Sequence, residues 1–142
     1  MPFPVEKACG TWKRDSYSDN YPQIMEKLGV PADMFQKLQK ATFPVGKASL
    51  SGDKFTSKYE YMGKTLESTF TLGVQGEEDD PAVGRKRKVT KTMEGDHLVS
   101  VYPDHDGSGT PMRISRHFVD DDTIHSDIKV GDLEGWMVSK RC

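Results

Sequence analysis

The chain has 142 residues, with 20 lysines and arginines against 22 aspartates and glutamates and a formal net charge of -2. This length suits one domain with a real core, and the charge balance gives no reason to expect nucleic acid or an anionic membrane as the main partner. No apolar run approaches the length of a membrane span, and the N-terminus lacks the apolar stretch of a secretion signal, so a cytosolic location is expected.

The two cysteines, Cys9 and Cys142, lie near opposite ends of the chain. In a reducing compartment both are expected to be free thiols, and a bridge would require the chain ends to meet. No cysteine or histidine spacing matches a metal site, so neither a metal nor another cofactor is expected.

The N-terminal stretch, residues 1–9, is expected to be an extension, with a loosely held lead that contains two prolines. The remaining residues, 10–142, are predicted to form a single domain. Its first strand begins at Gly10 and runs to about residue 14.

Two short helices are predicted next, within a region of about residues 19–41. Asp19 or Asn20 can cap the first helix, Pro22 suits its first turn, and Gly29 ends it. Pro31 begins the second. Apolar side chains recur at helical spacing in both, namely Tyr21, Ile24, Met25 and Leu28, then Met34, Phe35, Leu38 and Ala41. The pair lacks the basic recognition face of a DNA-binding helix-turn-helix.

After Pro44 the pattern becomes one of short strands separated by turns, interrupted by an acidic loop over residues 75–84. The predicted strands cover residues 47–50, 54–61, 65–72, 85–93, 97–102, the stretch around Arg116, 123–130 and 133–141. Consecutive hairpins of this kind indicate an antiparallel meander, and closure into a barrel would remove its two free edges.

The stretch around Arg116 carries the main functional signal. Strand alternation places Met112, Ile114, Arg116 and Phe118 on one face. A guanidinium among apolar side chains requires an anion, which could be a protein carboxylate or the head of an amphipathic ligand. The other interpretation is a rim arginine that reaches water past its apolar stem.

Polar side chains also occupy positions that would point inward, such as Ser126 beside Ile128. A partly hydrated ligand cavity would tolerate this mixture, whereas a dry core would favour larger apolar residues. An ordinary small barrel with polar residues near its rims explains the same pattern.

Several segments together resemble the intracellular lipid-binding proteins, a family that includes fatty-acid-, bile-acid- and retinoid-binding proteins. They are the Gly-Thr-Trp-Lys run at residues 10–13, residues 20–30, Gly73 after a strand, and the closing Ser-Lys-Arg run at 139–141. That closing run is similar to the liver and bile-acid-binding branch.

The resemblance implies an all-β fold, a ten-stranded antiparallel up-and-down β-barrel (β-clam) with a two-helix lid over one end. It implies that Arg116 meets the polar head of the ligand. A second arginine and a tyrosine that the family often uses correspond here to Met137 and Ser139, so half of the expected charge and the phenol are missing. Ser139 is a candidate hydroxyl contact.

The expected function is a monomeric cytosolic carrier that binds a long-chain fatty acid or a similar hydrophobic molecule inside the barrel. The lid lysines could make transient contact with membranes. The predicted ligand-binding residues are Arg116, Ser139, Met137, Tyr21, Met25, Met34, Phe35, Leu38, Tyr61, Met62, Ile114, Phe118, Ser126 and Ile128. Tyr59 is an alternative to Tyr61 near the entrance.

Two alternatives remain open. The missing arginine would suit a neutral retinoid or a bulky bile-acid-type ligand on the same fold. The barrel could instead be a membrane- or protein-docking module with a vestigial cavity. An enzyme is not expected, because no histidine, cysteine or carboxylate lies in a recognisable catalytic arrangement. The basic run at residues 85–88 is interpreted as a solvated strand edge.

Overall fold

The computed structural model describes residues 3–61, 64–79, 86–105 and 109–142. A short 3-10 helix, Val5–Ala8, precedes strand β1, Gly10–Tyr17, and then come helices α1, Tyr21–Lys27, and α2, Ala32–Lys40. The remaining strands are β2 Thr42–Ser51, β3 Lys54–Tyr61, β4 Lys64–Thr71, β5 Gly76–Asp79, β6 Lys86–Glu94, β7 His97–Tyr102, β8 Met112–Asp120, β9 Thr123–Val130 and β10 Leu133–Arg141. None of the helices in these ranges has the length and apolar character needed to cross a bilayer.

The ten strands form one antiparallel sheet in the order β4-β3-β2-β1-β10-β9-β8-β7-β6-β5. The first strand pairs with the last, Trp12 opposite Arg141, so the sheet curls into a nearly closed barrel. The two ends of the sheet, β4 and β5, come close without strand pairing in the described ranges. The Phe70 side chain of β4 fills the space between them. A Cβ atom added to Gly76 of β5 would lie only 3.0 Å from its ring. The predicted up-and-down barrel is confirmed.

The two helices form the predicted lid between β1 and β2. Helix α1 lies against β10 at Gly135, where an added Cβ would meet Ile24 Cδ1 at 2.6 Å. The predicted capping role of Asn20 is wrong, because its side chain forms no cap hydrogen bond. Asn20 Nδ2 instead donates to the carbonyl of Glu134, which holds the helix start against the sheet.

The N-terminal lead is not loosely held over its described residues, so that expectation is wrong. Phe3 and Val5 are both 4% exposed, and the Phe3 ring lies 4.9 Å from that of Phe118. Arg141 fixes the segment, since its guanidinium donates to the carbonyls of Cys9 at 2.6 Å and Lys7 at 2.7 Å. The apolar lead therefore packs into the core. Cys9 and Cys142 are both free thiols, as expected.

Two strand assignments also differ from the sequence prediction. Strand β2 begins at Thr42, directly after the lid and before residue 47. The acidic loop contains a strand, β5, whose Glu77 and Glu78 lie opposite Lys88 and Arg87 of β6. Opposite charges across adjacent strands stabilise this pairing, so the acidic and basic runs are two arms of one hairpin.

Candidate functional site

The barrel contains a cavity of about 350 Å³. This volume falls within the range of about 300–1,000 Å³ that is usual for small-molecule sites. Apolar side chains predominate, but several charged groups also face the space. Its lining residues are Phe3, Val5, Ala8, Trp12, Arg14, Phe43, Val45, Ala48, Phe55, Ser57, Tyr59, Glu78, Arg87, Lys91, Leu98, Tyr102, Ile114, Arg116, Ile124, Ser126, Met137 and Ser139.

Arg116 points into the cavity from β8. The register places Arg116 opposite Ser126 on β9, and Ser126 opposite Met137 on β10, so these three side chains form one inward row. Arg116 is half-buried. Within the described parts of the chain its guanidinium has no hydrogen bond or ion pair. A guanidinium placed in this way is suited to bind an anion that enters the cavity.

A second inward arginine, Arg14, comes from β1. It lies directly opposite Ser139 of β10. Ser139 is one of the two positions at which the resemblance implies that the family's arginine and tyrosine are missing. Arg14 Nη1 donates to the Leu38 carbonyl at 3.3 Å, and its guanidinium carbon lies 4.8 Å from the centre of the Phe43 ring. Its Nε is buried and has no hydrogen-bond partner among the described residues. Positive charge therefore reaches the Ser139 region from the neighbouring strand.

The β6 wall supplies two further cations, Arg87 and Lys91. Glu78 Oε1 lies 3.0 Å from Arg87 Nη2, and Tyr102 donates its hydroxyl to the same oxygen at 2.6 Å. Lys91 Nζ lies 3.9 Å from Glu78 Oε2 and donates to Ser100 Oγ at 3.0 Å. The interpretation of residues 85–88 as a solvated edge is wrong for Arg87, because alternation along β6 turns its side chain inward.

Burial changes the acid-base properties of this wall. It lowers the pKa of Lys91 to about 8, and repulsion from Arg116 and Arg87 acts in the same direction while the Glu78 carboxylate opposes it. Burial also raises the pKa of Tyr102, assisted by the adjacent Glu78 carboxylate. Burial therefore favours the neutral, donating form of Tyr102 and brings the pKa of Lys91 closer to physiological pH.

Five of the residues predicted to bind ligand line the cavity, namely Arg116, Ser139, Met137, Ile114 and Ser126. Seven others pack in the apolar core rather than along the cavity surface, namely Tyr21, Met25, Met34, Phe35, Leu38, Phe118 and Ile128. None of the predicted lid residues is among the described residues that line the cavity. The Tyr61 side chain and Met62 lie outside the described residues, and the alternative Tyr59 lines the cavity.

Sequence reasoning missed Glu78, Arg87, Lys91 and Arg14. One signal was available for β6, where Arg87, Val89 and Lys91 alternate and so share a face with an apolar residue. Val89 is fully buried, which identifies that face as the inner one. The position of Arg14 beside Ser139 had no local signal, because it depends on pairing between the two ends of the chain.

The outer wall carries a row of histidines. The His97 and His117 rings are 4.5 Å apart, and those of His117 and His125 are 5.3 Å apart. In the described part of the chain, no three histidine, cysteine or carboxylate side chains are grouped to hold a metal ion. The row lies on the opposite face of the sheet from the cavity.

Comparison with known proteins gives consistent matches. The sequence fits the profile of the Lipocalin / cytosolic fatty-acid binding protein family over residues 8–141. Fatty acid-binding protein 12 of Rattus norvegicus is 36% identical over 116 residues, which cover 82% of this chain and 83% of that protein. The liver fatty acid-binding protein of Lethenteron camtschaticum is 34% identical over 116 residues, which cover 82% of this chain and 96% of that protein.

The fold comparison agrees. A solved structure of a Schistosoma mansoni fatty acid binding protein in complex with arachidonic acid superposes with a TM-score of 0.74. It is 28% identical in sequence, and the match covers 97% of this chain and 98% of that one.

Proposed function

Because the chain belongs to the lipocalin / cytosolic fatty-acid binding protein family, we propose that it is a cytosolic carrier that reversibly binds an anionic amphiphile, such as a long-chain fatty acid, inside its barrel. The observation that carries this proposal is the position of Arg116, a guanidinium without a described partner that faces a largely apolar cavity. Burial of the acyl chain would supply about 0.8 kcal/mol for each methylene.

The charges of the cavity favour an anionic head over a neutral one. Among the described residues, four cations line it, namely Arg14, Arg87, Lys91 and Arg116, against one carboxylate, Glu78. The loss of positive charge at Met137 therefore does not make the interior neutral. This distribution supports a fatty acid or a bile-acid-type anion rather than a neutral retinoid, and the size of the cavity supports a carrier rather than a docking module.

A single chain is proposed as the functional unit, since the cavity lies within one barrel and contains the charged groups to which the proposal assigns the ligand head. Binding and release without chemical conversion account for the site, so no catalytic step is part of this proposal. We propose that ligand enters when the lid and the adjacent turns loosen.

Titration with a fluorescent long-chain fatty acid tests the proposal, with Arg116→Ala compared against Arg113→Ala. Arg113 lies on the same strand but faces outward, where its Nη2 is 3.1 Å from Glu94 Oε2. We expect saturable binding that weakens by roughly tenfold in Arg116→Ala, because a charge-assisted hydrogen bond contributes about 1.5–3 kcal/mol. Arg113→Ala should match the wild type. Equal affinity in all three proteins would contradict the role of Arg116, and absence of saturable binding would contradict the carrier function.

Competition among oleate, retinol and a bile acid would then assign the ligand class. We expect the two anions to displace the fluorescent fatty acid at lower concentrations than retinol does. Mass spectrometry of lipids extracted from the natively purified protein provides an independent measurement. A hydrophobic anion should be recovered, and a protein that carries no lipid and binds none on addition would favour a docking role.

A further inference from the structure

The anion-binding position in the β6 wall, formed by Arg87, Lys91 and Tyr102, is occupied by a carboxylate of the protein itself. Glu78 Oε1 lies within 3.1 Å of Arg87 Nε, 3.0 Å of Arg87 Nη2 and 2.6 Å of the Tyr102 hydroxyl. The Glu78 side chain is 14% exposed, and those of Arg87 and Lys91 are 12% and 10% exposed. The carboxylate is therefore bound inside the cavity wall in the manner in which a protein binds the head of an anionic ligand.

Of the side chains in this cluster, Glu78 is the one carried by a short strand at the end of the sheet. Strand β5 has four residues and lies at one end of the sheet, where it pairs with β6 alone. The donors that hold Glu78, in contrast, lie on β6 and β7, which are paired on both sides. A carboxylate brought by a ligand could use the same donors without any change in the strands that carry them.

We propose that Glu78 is an internal competitor, a carboxylate that occupies the Arg87, Lys91 and Tyr102 site until the anionic head of the ligand displaces it. This inference rests on the proposed function and specifies how its site is regulated. A neutral head cannot replace the charge of Glu78 beside the buried ammonium of Lys91, because a buried charge that loses its ion-pair partner is costly. Glu78 thus makes displacement selective for anionic ligands and holds the β5 edge closed against the barrel in their absence.

Replacement of Glu78 by glutamine tests the proposal, and the neighbouring residue provides a matched control. Glu77 is one position earlier on β5 and is exposed on the outer face. Affinities are measured by displacement of the neutral dye Nile red with oleate, and separately with oleyl alcohol, which has the same chain but no charge. We expect Glu78→Gln to bind oleate about tenfold more tightly, a gain of about 1.4 kcal/mol, with oleyl alcohol and the Glu77→Gln variant unchanged.

The outcomes separate the two proposals. If wild-type protein binds oleate but folded Glu78→Gln binds it no better, or gains equally for the alcohol, the competitor role is overturned while the carrier function stands. If neither oleate nor the alcohol displaces the dye from the wild type, both proposals are overturned.

A measurement on the unmodified chain covers the case in which Glu78→Gln does not fold. Carbon-13 NMR of side-chain carboxylates should show the Glu78 resonance moving on saturation with oleate, while that of Glu77 stays in place. Oleyl alcohol should leave both unchanged. An unmoved Glu78 resonance at saturating oleate would overturn the competitor role.

Discussion

Arg14 and Ser139 are direct cross-strand partners, one on the first strand of the barrel and the other on the last. The chain therefore brings a guanidinium from its N-terminal region to the position where its C-terminal region has only a hydroxyl. Both residues line the cavity.

Substitution of Arg14 by methionine should weaken the binding of oleate by roughly tenfold, because it removes one of the cations that line the cavity. Lys13→Met is the matched control, since Lys13 is adjacent on β1 but exposed. Isothermal titration calorimetry of both variants measures the difference. Loss of affinity in Lys13→Met alone would place the anion outside the barrel.

The affinity for oleate should fall as the pH rises through about 8. Burial lowers the pKa of Lys91 to about 8, so this side chain is charged below that pH and attracts the anion, and it loses the charge above it. We expect a decrease of up to roughly tenfold between pH 7 and pH 9.5. In Lys91→Met the affinity should be lower at pH 7 and nearly independent of pH. A wild-type profile that is flat in dye displacement across this range would contradict the charge change.

Truncation of Phe3 to alanine should destabilise the fold by about 3–5 kcal/mol, the usual cost of removing a buried aromatic ring. Phe3 is 4% exposed and packs on Phe118. The comparison is Glu6→Ala, an exposed change in the same segment that should stay within about 0.5 kcal/mol of the wild type. Urea unfolding measures both. Equal stability of the two variants would show that the N-terminal segment does not contribute to the core.

A methyl group added at Gly135 should push the lid away from β10. Its Cβ would lie 2.6 Å from both Ile24 Cδ1 and Ser18 Oγ, so these side chains or α1 itself must shift, at a cost of about 1–3 kcal/mol. We expect faster dissociation of bound fatty acid in stopped-flow measurements. Gly46→Ala is the control, because there the nearest atom, a backbone oxygen of Lys58, is 3.9 Å away. An unchanged dissociation rate in Gly135→Ala would mean that α1 does not limit release.

The outer histidine row should make the fold less stable in mild acid. Burial, followed by repulsion from His97 and His125, lowers the pKa of His117 below 6.5, and Asp96 and Asp127 oppose this only in part. Between 6.5 and the lower folded-state pKa, the unfolded chain binds the proton more readily, so stability falls as the pH decreases through this window. Melting temperatures from pH 7.5 to pH 5 measure the effect, and His117→Asn should reduce the slope. A variant with the wild-type slope would assign the effect to other groups.

Much of the fold follows from local pattern. Alternation of side chains and regular turns were enough to indicate the antiparallel meander, and the inward position of Arg116 follows from its spacing to Ile114 and Phe118. The sequence predicts a loop at the acidic strand β5 because four charged or small residues have no apolar periodicity. Its pairing depends on the basic strand β6, which lies further along the chain.

By itself, the sequence determined the class of fold, the lid and one cation of the cavity, because each of these depends on neighbours within a few residues. The tertiary structure alone decided that Glu78 faces Arg87 and Tyr102, that Arg14 meets Ser139, and that Phe3 lies in the core. These contacts join distant parts of the chain. Local periodicity specifies the face on which a side chain lies, whereas closure of the barrel specifies which other faces it meets.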